Sequence, residues 1–320
     1  MPFVHELLKY RSVAVVGMEK NCGKTECLNY ILRRLPSDGP GVCVTSIGLD
    51  GERTDQVTGT AKPEIILRSG MFFATSETHY RSRRLVSEIV DVSGETTALG
   101  RLITAKVALE GKVILSGPSS TLSLKRWMDS ISGFGIGLTV IDGALSRKSS
   151  ASPAVSEAMV LATGAALSCS MPALVDRTAF CVEMIRLPEV EEQKLPEEQT
   201  LTVSSMAQEV ELAPEVRRIE VSGALTDRLL ARLLTERRLP EIEVTVADFT
   251  RIFISPDSWR RFVRAGGRLL VHRRTALLAV CVNPLAPNGY RLDSDLLCRT
   301  LSDKIQLPVY DIRRQCEDEA

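Results

Sequence analysis

The chain has 320 residues, 44% of them hydrophobic and 25% charged, and its 40 basic and 40 acidic side chains cancel. Those proportions are ordinary for a globular protein with room for about two domains of roughly 150 residues each. The balanced charge speaks against a large electrostatic footprint for nucleic acid or an anionic membrane.

"SVAVVG" (12–17) is a β-branched run ending in glycine and reads as a buried strand. In "KTECLNYILRRL" (24–35) the apolar residues Cys27, Leu28, Ile31, Leu32 and Leu35 recur at helical spacing, and "PSDGPG" breaks that helix. "VCVTSIG" (42–48) is a second strand, followed by the acidic loop "LDGERTD" (49–55). Residues 62–116 read mainly as short strands. "KPEIIL" and "MFFAT" suggest a hairpin, and "TALGRLITAKVAL" is open to a helical reading. "TLSLKRWMDSI" (121–131) is a helix, "GLTVID" (137–142) and "EAMVLATG" (157–164) are strands, and 170–187 is a helix with Ser170 placed to cap it.

"LPEVEEQKLPEEQT" (187–200) is acidic, punctuated by proline and without a period, so it reads as a linker or exposed loop. Beyond it the pattern resumes. Strands are expected at "RRIEVSG", "EIEVTV", "RIFIS" and "LPVYDI", and helices at "ALTDRLLARLLTE", "PDSWRRFVRAG" and "DSDLLCRTLSDKI". "GRLLVHRRTALLAVCVNP" reads as a hairpin. Strands alternating with helices predict an α/β fold, a mostly parallel, doubly wound sheet covered on both faces. The predicted organisation is a nucleotide-binding domain over 1–187, an acidic linker over 188–200 and a smaller α/β region over 201–320. The last region carries no motif that can be tied to chemistry.

No stretch approaches the ~18 apolar residues that span a bilayer. "MPFVHELLKYRS" lacks the apolar run of a signal peptide. The eight cysteines form no C-x-x-C pair, which leaves zinc or iron–sulfur ligation little support and fits a reducing cytosol. A cytoplasmic location is expected, with neither nucleic acid nor membrane as partner. His5, His79 and His272 are isolated and read as surface or packed residues.

One stretch carries chemistry. In "VAVVGMEKNCGKTECLNYIL" a strand, Gly17, a loop, Gly23–Lys24–Thr25 and a helix follow in that order. A phosphate-binding loop needs glycine where the chain turns tightly, a helix N-terminus facing the anion, a lysine for the β- and γ-phosphates and a hydroxyl for Mg²⁺. The usual spacing puts four residues between the glycines; here there are five, with Met18 where glycine is usual. The predicted cofactors are ATP and Mg²⁺. Gly17, Lys20, Asn21, Cys22, Gly23, Lys24, Thr25 and Glu26 would form the nucleotide site. Lys20 reads as extra charge for the phosphates or as an exposed loop lysine. Cys22 reads as an apolar filler or, were its thiolate stabilised by the helix terminus, as a redox switch.

The five-residue gap resembles the loop of dethiobiotin synthetase and the cobyrinate amidases. Those enzymes also keep a metal-binding acid in a strand ending in an acid-Gly-Ala turn, which "LTVIDGALSR" (138–147) matches with Asp142–Gly143–Ala144. A carboxylate at the C-terminal end of a central strand holds the metal's water shell. Asp142 and Lys24 are therefore the residues expected to carry catalysis, with Asp142, Thr25 and one of Asp50 or Asp55 at the metal. The competing readings are a strand-end turn for Asp142 and a solvated turn for Asp50 and Asp55.

A narrower resemblance rests on "GMEKNCGKTECLNYIL", "SIGLDGERTD", "KPEIILRSGMFFAT", "VILSGPSS", "VIDGALSRKSSASP", "LATGAALSCSM" and "GRLLVHRRTALLAVCVNPLAPNGYRLDSDLL". Together they resemble the smaller, P-loop subunit of lysine 5,6-aminomutase reactivase over most of the chain, least around 187–215. The resemblance implies an ATP-dependent factor that exchanges damaged cobalamin on an adenosylcobalamin- and pyridoxal-phosphate-dependent enzyme. The implied partners are a larger MutS-like ATPase subunit and lysine 5,6-aminomutase itself. A ligase of the dethiobiotin or cobyrinate class and a non-hydrolysing scaffold for a partner ATPase are the alternatives. The ligase reading lacks a residue set assignable to a small-molecule substrate.

Overall fold

In the computed structural model, which describes residues 2–47, 64–144, 152–191, 195–204 and 212–317, strand β1 (Ser12–Gly17) is buried along its whole length. That is why its sequence is continuously apolar rather than alternating: a parallel strand covered on both faces has no solvent side. It follows helix α1 (Pro2–Glu6) and leads into α2 (Lys24–Arg34) and β2 (Gly41–Ser46). Then come β3 (Ile65–Leu67), β4 (Phe72–Ser76), α3 (Glu77–Arg81), β5 (Arg84–Thr97), β6 (Gly100–Val113), α4 (Thr121–Ile131), β7 (Ile136–Ala144), β8 (Ala158–Gly164) and α5 (Met171–Ile185). Next are β9 (Thr200–Val203), β10 (Arg218–Val221), β11 (Leu225–Thr226), α6 (Asp227–Leu233), β12 (Glu243–Val246), β13 (Ile252–Phe253), α7 (Pro256–Arg264) and β14 (Arg268–Val271). The chain ends with β15 (Ala276–Asn283), α8 (Ser294–Ile305), β16 (Val309–Asp311) and α9 (Ile312–Glu317).

The chain divides into two units, Met1–Ala179 with Thr275–Ala320, and Phe180–Arg274. The first is built on one large sheet in the order β16-β15-β8-β1-β7-β2-β4-β6-β3, with β5 on β6. From β16 to β4 every pairing is parallel, and the three pairings of β6 are antiparallel. The mixed α/β architecture with a mostly parallel sheet is the one the sequence pattern predicts. Alternation along the strands separates two cores. Val13, Val15, Val42, Val44, Leu138 and Val140 pack with Leu28, Ile31 and Leu32 of α2 and Leu7. Cys43, Phe72, Ala74 and Ile141 pack with Leu124, Trp127 and Ile131 of α4 on the other face. Burying Trp127 also requires a partner for its indole N–H, which Nε1 finds in Thr104 Oγ1 at 3.0 Å.

One open reading is decided and two local expectations are corrected. "TALGRLITAKVAL" is strand β6, whose residues 100–112 pair with β5 on one edge. Its other edge takes Phe72–Ser76 of β4 and then Ile65–Leu67 of β3, so β3 and β4 each pair with β6 rather than forming a hairpin together. "GRLLVHRRTALLAVCVNP" is no hairpin either: β14 pairs parallel with β12, and β15 pairs parallel with β8. Residues 276–311 thus complete the first sheet, and 201–320 is not one region.

The second unit is a four-stranded parallel sheet, β14-β12-β10-β9, plus the short parallel pair β11–β13. Thr226 and Ser255 cap α6 and α7 through their side chains. Leu229, Leu230 and Leu233 of α6 and Trp259 and Phe262 of α7 are buried. The start of the acidic stretch is not a free linker. Val190 N donates to Val271 O at 2.9 Å and Val271 N to Pro188 O at 3.0 Å, which fastens it to β14.

Candidate functional site

Gly17 closes β1 and Gly23 opens α2, so the loop between them lies at the C-terminal end of a strand with neighbours on both sides, β7 and β8. Met18 N continues the pairing by donating to Ala162 O at 2.9 Å. The chain then turns back on itself. A Cβ on Gly17 would sit 2.8 Å from Cys22 Sγ and 3.3 Å from Lys24 Cβ. Glycine is therefore needed at 17, where the loop folds over its own beginning, and the side chain at 18 is accommodated.

Gly23 has φ +87°, the left-handed region that only glycine enters without strain, and Asn21 is also left-handed at φ +60°. Lys24, Thr25 and Glu26 form the partly exposed first turn of α2, and Glu19, Lys20 and Asn21 are exposed. Glu26 places a carboxylate at the positive end of the helix dipole.

Lys24 Nζ reaches Asp142 Oδ1 at 2.6 Å, with the two side chains 19% and 9% exposed. The local fold explains why they meet. Even-numbered residues of β7 face α2, so Leu138 and Val140 enter that core and Asp142 continues the row. Asp142 is a strand residue opposite Val15 of β1 and Ser46 of β2, not a turn residue. Ser46 Oγ donates to the Asp142 carbonyl at 3.2 Å. The segment after β6 closes over this edge: a Cβ on Gly117 would lie 1.6 Å from the Ser46 carbonyl oxygen.

Asp50 and Asp55 lie outside the described residues, so the expected second acidic contact has no structural counterpart to describe. Among the described residues no three His, Cys, Asp or Glu side chains gather into a preformed metal cluster. The donor set fits a magnesium nucleotide, since Mg²⁺ takes one or two protein oxygens and fills its shell with water and phosphate. Thr25 and Asp142 are of that kind.

Cys22 is 1% exposed. Burial pushes its thiol up, against the opposing pull of backbone hydrogen bonds from Glu19, Lys24 and Met18 and of the Lys24 charge. The filler reading fits this environment, and the stabilised thiolate does not. Iodoacetamide at pH 8 is expected to modify the exposed Cys169 in the native protein and to reach Cys22, Cys27, Cys43 and Cys281 only on unfolding. Rapid native modification of Cys22, read by peptide mass, would restore the redox reading.

His79 is buried with Nδ1 3.0 Å from Ser116 Oγ, which also accepts from Ser76 N at 2.8 Å. This ties β4 to the segment that carries Gly117. His272 lies 3.8 Å from Glu220.

Sequence reading missed Asn283. A Cβ on Gly23 would lie 2.8 Å from Asn283 Cβ, so a residue 260 positions away walls the loop. Its one local signal is a polar residue ending the apolar run "LLAVCVNP".

Comparison of the chain with family models, curated proteins and solved structures finds no match. Among the described residues no helix is long and apolar enough to cross a membrane.

Proposed function

We propose that the chain binds MgATP on a P-loop formed by Gly17–Thr25, and that it serves as the smaller subunit of an ATP-dependent reactivation factor for adenosylcobalamin-dependent lysine 5,6-aminomutase. The nucleotide part is carried by the Lys24–Asp142 contact of 2.6 Å at the strand-to-helix loop. It brings together a cation for phosphate, at the start of the helix that follows β1, and a carboxylate for the metal, on the neighbouring parallel strand β7. Ligands of such sheets bind at the carboxyl ends of the strands, where the connections diverge. Here β1 leads towards β2 on one side, and β7 is followed by β8 on the other.

The roles follow from charge. The first-turn N–H groups of α2 face an anion. Lys24 would leave Asp142 for the β- and γ-phosphates, and Asp142 and the Thr25 hydroxyl would hold the metal's shell. Bound MgATP would supply the free energy for cofactor exchange. Most catalysis in phosphoryl transfer is positioning and charge neutralisation, and the sequence offers no clear residue for activating a water. Hydrolysis by the isolated chain is expected to be slow, and faster with a partner.

The narrower assignment rests on the sequence resemblance, with the larger MutS-like subunit and the aminomutase as partners and the cytoplasm as location. Calorimetric titration of MgATP and MgADP tests the first part, and saturable binding is expected. Aminomutase inactivated by turnover tests the second. It should regain activity when given the chain, its partner subunit, ATP and intact adenosylcobalamin. No recovery alongside intact MgATP binding would remove the reactivase assignment and keep the nucleotide site.

A further inference from the structure

We infer that Asn283 is a positioning residue for the phosphate loop, and that the return strand β15 thereby holds the nucleotide site in its binding conformation. The inference rests on the MgATP reading above and extends it to a residue outside the loop and its motif.

Three contacts converge on Asn283, which is 9% exposed. Its side chain abuts Gly23: a Cβ there would lie 2.8 Å from Asn283 Cβ and 3.5 Å from Nδ2. Its backbone oxygen accepts from Ala165 N at 2.9 Å, and a Cβ on Gly164 would come within 2.1 Å of that oxygen. Its Oδ1 accepts from Leu285 N at 3.1 Å, fixing the side chain against its own turn. The residue is thus clamped by the end of β8 and by the turn after β15, and presents a fixed wall to the loop.

Gly23 needs such a wall. It is in the left-handed region, and its carbonyl accepts the first helical bond of α2, from Cys27 N at 2.9 Å. It also precedes Lys24. A rotation of the Gly23 peptide would re-aim both the helix N-terminus and the lysine. The contact repeats one step along each element, since Cys27 of α2 and Cys281 of β15 meet by a side-chain hydrogen bond inside the same buried cluster. Helix spacing of four against strand spacing of two places Gly23/Asn283 and Cys27/Cys281 along one seam.

A positioning role and direct contact with the nucleoside make different demands on the ligand. The test therefore compares MgATP with magnesium tripolyphosphate, which lacks the nucleoside. In Asn283→Ala both affinities are expected to fall by the same factor, roughly ten-fold, the loss of one well-placed contact. A fall for MgATP alone would mean that Asn283 reads the nucleoside, and overturns the inference. A lower melting temperature with both affinities unchanged would make the residue structural only, and also overturns it. A double-mutant cycle adds a readout independent of folding. The strain of alanine at φ +87° is common to both backgrounds, so Gly23→Ala should weaken tripolyphosphate binding less in Asn283→Gly, which removes the Cβ that the new methyl would meet at 2.8 Å, than in wild type. Equal effects in both backgrounds would show that the contact does not position the loop. Wild-type protein that binds neither ligand would instead refute the nucleotide reading, and this inference with it.

Discussion

Lys24→Ala is expected to lower MgATP affinity by about 10²-fold or more, and to lower stability as well, for a different reason. The affinity loss follows from removing charge-assisted contacts to two phosphates, each worth about 1.5–3 kcal/mol. The stability loss follows from the ligand-free protein, where Lys24 Nζ lies 2.6 Å from an Asp142 carboxylate that is only 9% exposed. Removing that ammonium should cost about 1.5–3 kcal/mol, the range for one charged hydrogen bond. Asp142→Asn separates the two effects. In Lys24→Ala/Asp142→Asn the buried charge is gone, so the denaturation midpoint should recover towards wild type while MgATP binding stays lost. Calorimetry and urea denaturation on the four proteins complete the cycle. MgATP binding unchanged in Lys24→Ala would refute the assignment of Lys24 to the phosphates. A double variant no more stable than Lys24→Ala would show that the loss does not come from the buried Asp142 charge.

The elements around this pair were legible because their physics is local. β1, α2 and β7 sit where continuous β-branched runs and a 3.6-residue period place them, and α4 spans the predicted 121–131. The loop could be read because residue types at fixed spacing carry its chemistry. What could not be read is long-range. Strand β6 has Leu102, Ala105 and Leu109 at helical spacing and Ile103, Ala105 and Val107 at strand spacing, and only its three pairing partners decide between them. "RLLV" and "ALLAVCVN" are adjacent in the chain, yet they join different sheets because the second finds a fully buried edge on β8. Nothing at that junction marks the change of partner. Asn283 was invisible for the same reason. Its importance lies in touching Gly23, and the sequence between them includes the whole second unit.

Gly117→Ala is the substitution outside the loop with the largest expected effect, and it reaches the site through backbone alone. The added Cβ would stand 1.6 Å from the Ser46 carbonyl oxygen, 2.7 Å from its carbon and 2.9 Å from Thr45 Oγ1. No rotamer change relieves a clash with a carbonyl, so either the 114–117 segment or the end of β2 must move. Overpacking of this kind costs about 1–3 kcal/mol even where side chains can yield, and more where they cannot. A loss of about 3 kcal/mol or more is expected by urea denaturation. Two glycines serve as controls. Gly133→Ala meets nothing within 4 Å and should be near neutral, and Gly70→Ala, with φ +86° and open space, should lose only the left-handed penalty of about 1–2 kcal/mol. The direction of relaxation then matters for function. Ser116 is held by Ser76 N and faces His79, which resists movement of the 114–117 segment. Among the described residues Ser46 is held by β2's own pairings, by Oγ on the Asp142 carbonyl at 3.2 Å and, at its carbonyl, by the neighbouring Thr45 Oγ1 at 3.3 Å. The end of β2 should therefore give way first and draw on β7 beside Asp142. Gly117→Ala protein that still folds should bind MgATP more weakly than Gly133→Ala, although residue 117 belongs to no element that carries Lys24 or Asp142. Equal affinities in the two variants would mean that the 114–117 segment yields instead, and that this edge of the sheet is mechanically separate from the carboxylate.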